Sequence, residues 1–334
     1  MIIAKGIIHI VPLRGIRFIM QDKSNKLVSS LFRVRRRGAF IFSTIALTTL
    51  SWGFSMGVGL AADPFRTNNA RDIGEKTEQA FKALFEEGNY PRAKRLLDEA
   101  KQSETNDPLV PALRASLAYT EEDWSGMESY ANETVRVARA IATADPLRSS
   151  LYLAVGNFLQ GAHKFQTSGP MAAIGQLQSV FRYFEQAERI DRNDPELNLI
   201  KGYFNLILAV NLPFSSPTQA INQLQQFASP QYLVHRGIAI AYRDLKDFDQ
   251  ALTFANKAVQ STPNNPEIHY LRGQILREKG MRDNNVNTLE EALRSFDIAM
   301  EKIDQTPVEA TQEPLRRDRT STIEALARFR GFTE

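Results

Sequence analysis

The stretch YLVHRGIAIAYRDLKDFDQALTFANKAVQSTPNN, residues 232–265, decides the fold of this chain. Two helix-length runs flank a charged break at residues 244–247. In the second run Ala251, Ala255 and Ala258 recur at i, i+4 and i+7, the spacing of one helical face. The stretch ends on Asn265-Pro266, a helix-start signal. The Asn side chain can accept from a free backbone N–H, and Pro fits the first helical position because it has no N–H to leave unpaired.

Outward from this stretch the same punctuation recurs at Asp107-Pro108, Asp145-Pro146, Asp194-Pro195 and Ser229-Pro230, the prolines lying 38, 49, 35 and 36 residues apart. The Ala251 trio recurs as Ala93, Leu97 and Ala100, as Val180, Phe184 and Ala187, as Ala220, Leu224 and Phe227, and as Ala292, Phe296 and Ala299. Residues 108–144 carry a degraded version in Met127, Ala131 and Thr134. A fixed period of this kind signals stacked helical pairs, each burying a face that it cannot bury alone.

Residues 232–265 resemble a full tetratricopeptide repeat (TPR). Ala239, Tyr242, Phe248, Ala251, Ala258 and Pro263 stand at that family's signature positions. Gly88, Tyr90, Ala93 and Ala100 repeat the later ones, as do Gly273, Ala292, Phe296 and Ala299. The resemblance implies an all-α, right-handed α-solenoid of about six helix-turn-helix units over residues 70–304, after a lead at 63–69. A polar linker is expected over 305–319. A capping helix is expected over 320–334, packing through Ile323, Leu326 and Ala327. Units three, four and six carry extra residues near Thr167–Pro170, Leu212–Pro217 and Met281–Thr288. These read as protruding loops, either surface drift or recognition loops on one edge.

The N-terminus is a different kind of sequence. Arg33 opens the run RVRRR, and an uncharged stretch from Gly38 to Ala62 follows it. Small residues then precede Asp63-Pro64, as in a signal peptide cleaved after Ala61 or Ala62. Met20 offers an internal start that leaves a signal of more usual length. The alternative is an uncleaved anchor, since about 20 apolar residues span a bilayer; Gly53, Gly57 and Gly59 make this stretch a poor permanent span, so cleavage is favoured. The formal charge is +3 overall but +8 within residues 1–62, which leaves −5 on residues 63–334. That acidic body gives no footprint for nucleic acid. There is no cysteine, so disulfides, thiolate metal sites and a lipid-bearing cysteine are excluded. The sequence style is similar to exported cyanobacterial proteins of the same repeat family, which implies a periplasm or a thylakoid lumen.

No catalytic constellation is legible. Neither GxGxxG nor Walker spacing occurs, and the acids at Glu86-Glu87 and Glu121-Glu122-Asp123 sit at helix ends as solvated clusters. His235 and His269 share a repeat position, 34 residues apart. They read either as a two-histidine metal site or, the favoured alternative, as packing residues. No enzyme activity, cofactor or metal is expected. The resemblance instead implies a groove lined by the first helix of each unit. Its contact positions hold Tyr119, Tyr203, Arg236, Arg243, Tyr270, Gln274 and Arg277. Arg and Tyr there suit an acidic protein or peptide segment of unknown identity. Ile240 stands where chaperone-tail-binding members need an amide, so such a tail is not expected.

Overall fold

The computed structural model describes residues 63–211 and 217–331. The signal or anchor expected over 1–62, and most of the insertion expected at 212–217, lie outside them. Six helical pairs follow one another: α1 (Glu75–Phe85) with α2 (Tyr90–Ser103), α3 (Leu109–Thr120) with α4 (Trp124–Ala140), α5 (Pro146–Ser168) with α6 (Pro170–Ile190), α7 (Pro195–Asn211) with α8 (Pro217–Phe227), α9 (Gln231–Asp244) with α10 (Phe248–Ser261), and α11 (Pro266–Asp283) with α12 (Val286–Met300). A single helix, α13 (Glu313–Gly331), follows. The second helix of each pair contacts the first helix of the next, and α3–α5, α7–α9, α9–α11 and α11–α13 also touch. The described residues are thus an all-α solenoid.

The punctuation acts as read. Asp145 and Asp194 accept from the N–H of Arg148 and of Leu197, Asp107 from that of Leu109, and Asn265 from that of Glu267. Each satisfies a helix-start donor. Proline is not the first helical residue at two boundaries: α3 begins at Leu109 and α9 at Gln231, each one residue past its proline, and the Ser229-Pro230 peptide is cis. All the trio residues are buried except Phe227, which is 43% exposed at the end of α8. Close approach explains Gly273: a Cβ there would lie 2.4 Å from a Phe296 ring carbon, so only glycine lets α11 meet α12. Phe296, wholly buried, contributes about 1.5–3 kcal/mol.

The expected loops are a correction. In the third pair the extra residues lengthen α5 and α6 to 23 and 21 residues, joined through the single residue Gly169 at φ +85°. In the sixth they lengthen α11 to 18 residues, which turns at Asn284 in the left-handed region before Asn285 caps α12. Low charge over 160–179, and Asn at a left-handed turn, let the helices run on. The linker also differs. A short 3-10 turn (Ile303–Gln305) and a π-helical turn (Val308–Gln312) lead directly into α13 at Glu313. Leu315 is the reason: it joins Tyr270, Leu276 and Phe296 in one buried cluster.

The solenoid curls until its first pair meets its sixth. The Tyr90 hydroxyl donates to Glu267 Oε1 at 3.0 Å, and Asn265 Nδ2 donates to the Phe85 carbonyl at 3.0 Å. Gly88, at φ +66°, brings the α1–α2 turn onto Asn265: a Cβ there would sit 2.6 Å from Asn265 Oδ1. The lead segment folds inward as well. Phe65 and Ile73 are buried, and Asp63 accepts from the N–H groups of Phe65 and Arg71. Arg71 spreads its guanidinium over Asp145 (2.8 Å), Glu196 (2.7 Å) and Asp194 (3.4 Å), with Arg66 also paired to Asp194. Arg148 and the Tyr152 hydroxyl complete the surroundings of Glu196.

Candidate functional site

The expected groove residues lie on α3, α7, α9 and α11, and the structure separates them into two groups. Four are interior, which corrects the reading of them as groove surface. Arg236 is 1% exposed and donates to Glu267 Oε2 at 2.8 Å. Tyr203 donates to the Leu233 carbonyl at 2.6 Å and packs on Gly237. Tyr270 donates to Asp318 Oδ2 at 2.8 Å and tilts against Phe296. Tyr119 is buried edge-on to Trp124 and accepts from Gln166 of the lengthened α5 at 3.3 Å. Burial pushes the phenol pKa of all three tyrosines up, so they remain neutral hydrogen-bonding groups. The cover comes from different elements: Tyr90 of the chain's own first pair lies near Arg236, α5 covers Tyr119, α13 covers Tyr270, and the adjacent α9 covers Tyr203.

Arg243, Gln274 and Arg277 form the second group, half-buried on α9 and α11. Arg243 donates to Gln274 Oε1 at 3.1 Å and to Asp244 Oδ1 at 3.0 and 2.8 Å. Gln274 in turn donates to Asp318 Oδ2 at 3.3 Å. The buried Arg277 Nε finds no hydrogen-bond partner among the described residues. Next to them burial raises the Glu278 carboxyl above its usual range, although Arg243 and Arg277 oppose that shift. The patch offers guanidinium donors fixed by a neighbouring amide and carboxylate, a geometry suited to oxygen acceptors on a partner chain.

The two histidines are packing groups. His269 lies with Nε2 2.7 Å from the Pro263 carbonyl, and His235 rests against Phe254 with its pKa lowered, chiefly by burial. Sequence reasoning missed the carboxylates that hold the array closed, Glu196 and Glu267. Their signal was present: each directly follows a boundary proline, in Asp194-Pro195-Glu196 and Asn265-Pro266-Glu267. There each reads only as a first-turn acid favoured by the helix dipole.

A family model described as tetratricopeptide repeat matches residues 237–265. A solved structure of a monomeric mutant of IFIT1 with Gppp-AAAA is similar at a TM-score of 0.43 and 18% identity, over 76% of this chain. The match covers 57% of that structure's own length. No curated protein matches the chain. Residues 237–265 thus match the tetratricopeptide-repeat family model, and they lie within an all-α solenoid of helical pairs.

Proposed function

We propose that this chain is an exported, non-catalytic scaffold that holds an acidic segment of a partner protein against Arg243, Gln274 and Arg277. The observation that supports it is the half-buried guanidinium pair on α9 and α11: Arg277 makes no ion pair among the described residues, and Arg243 is held in place by Gln274. A partner carboxylate supplies the missing acceptor, and a positioned Arg fork recognises it in two-point fashion. The interior placement of Arg236, Tyr203, Tyr270 and Tyr119 narrows the site to this patch. Arg236 and the tyrosines then act as its foundation.

Export rests on the order of basic run, uncharged run and small residues ahead of Asp63, and places the scaffold in a periplasm or a thylakoid lumen. The second reading, a membrane-anchored envelope component, rests on the length of the uncharged Gly38–Ala62 run. N-terminal sequencing of the mature protein separates them: a start at Ala62 or Asp63 supports release, an intact Arg33 in the membrane fraction supports anchoring. The patch is tested by affinity capture and crosslinking with the double variant Arg243→Glu, Arg277→Glu. Loss of the partner set is expected, with the circular-dichroism melt retained, and an unchanged partner set would sink the reading.

A further inference from the structure

Among the described residues, α13 repeats the chemistry of a first helix and no second helix lies beside it. On α11, the residues Arg272, Leu276 and Gly280 recur at i, i+4 and i+8 and all face α12. Arg272 reaches back to Asn256 Oδ1 of the preceding α10 at 2.8 Å, and forward to Ser295 Oγ at 2.6 Å and Glu291 at 3.5 Å on α12. Leu276 is 3% exposed in the cluster with Ala292 and Phe296, and Gly280 sits against Leu289.

On α13 the same spacing holds Arg319, Ile323 and Ala327. Arg319 Nε reaches back to Asp297 Oδ1 of the preceding α12 at 2.7 Å, as Arg272 reaches back to Asn256. It has nothing to reach forward to: its terminal amino groups have no partner among the described residues. Ile323, at the offset of the buried Leu276, is 42% exposed, and Ala327 is exposed. Ile323 and Ala327 line a groove of about 340 Å³ between α12 and α13, together with Leu293 and Leu326, and Arg319 stands beside it through its pair with the lining residue Asp297. Its acids are already paired, Glu290 to Arg330 and Asp297 to Arg319. Arg294 on its rim makes no ion pair among the described residues. The uncommitted charge at the groove is therefore cationic.

We propose that the α12–α13 groove is the docking site for an amphipathic helix of a partner protein, lying where a paired helix would lie and presenting a carboxylate to Arg319. The carboxylate stands in for Glu291, and apolar side chains stand in for Ala292 and Phe296. This site is separate from the Arg243–Arg277 patch, and either can fail without the other.

The probe is a fluorescein-labelled, helix-stapled peptide of residues 286–300, the segment that fills the equivalent position beside α11. It is titrated into the full chain and followed by anisotropy. Saturable binding is expected, weakened at least tenfold by Ile323→Asp, an exposed position where the fold survives. Arg319→Ala in the chain and Glu291→Gln in the peptide are each expected to weaken binding roughly three- to tenfold, with no further loss when combined. Absent saturable binding, or binding indifferent to Ile323→Asp, would overturn the proposal. So would a dimer of the free chain in sedimentation that Ile323→Asp dissolves, because the groove then belongs to a second copy.

Discussion

At the N-terminal end of the array, Arg71, the Phe85 carbonyl and Tyr90 are bonded to groups 74 to 180 residues away in sequence. At the C-terminal end, Arg319 is half-buried and bonded only to the adjacent helix, and Ile323 is exposed. Both ends are made from the same helical pattern, so the difference lies in what each end is given to pack against. An ordinary solenoid is quasi-one-dimensional, and each unit is stabilised by its neighbours alone. Curling the first pair onto the sixth breaks that rule. It removes one frayed end, covers the face where a ligand is expected, and leaves the opposite end as the accessible edge.

The largest expected effect breaks the closed end. Arg71→Ala leaves Glu196 and Asp194 buried with much of their countercharge gone, and about 3–5 kcal/mol of stability should disappear in urea unfolding. A loss below about 1 kcal/mol would mean that the lead segment is only loosely held. Next, Tyr90→Phe removes one buried hydrogen bond to a carboxylate, for an expected loss of about 1.5–3 kcal/mol.

A pH series sharpens the same contrast. Burial alone would raise the Asp145 carboxyl pKa, but the Arg148 N–H and the Arg71 guanidinium outweigh it and hold the pKa below the usual range. A depressed carboxylate contributes stability that is present above its unfolded pKa and lost as pH falls through the folded one. Thermal melts of the parent should therefore drop below the ordinary aspartate range, and Asp145→Asn should flatten that part of the profile. The smallest effect belongs to the open end. Arg330→Ala removes an exposed pair with Glu290 and should cost less than about 1 kcal/mol.

Much of the fold was legible because it is local. The boundary Asp and Asn residues cap helices within three positions of themselves. Ala251, Ala255 and Ala258 bury one face whatever lies elsewhere. Thr134, at the end of the degraded trio, is buried because its hydroxyl turns back to the Tyr130 carbonyl. The site was much less legible. Family position marks Arg236 as groove-facing, yet its environment is set by Glu267 and Tyr90, and the second of these arrives only through the curvature of the whole array. Periodicity carries no measure of that curvature. The linker failed for a related reason: Leu315 stands alone among polar residues in sequence and finds its apolar neighbours only on α11 and α12.

The most direct test of the closed array is a double-mutant cycle between Tyr90→Phe and Glu267→Gln, read as unfolding free energies in urea. The two residues are 177 apart in sequence and bonded at 3.0 Å. A closed array predicts that the double variant departs from additivity by about 1 kcal/mol or more. Additivity within about 0.5 kcal/mol would place the first and sixth pairs apart in solution and contradict the account.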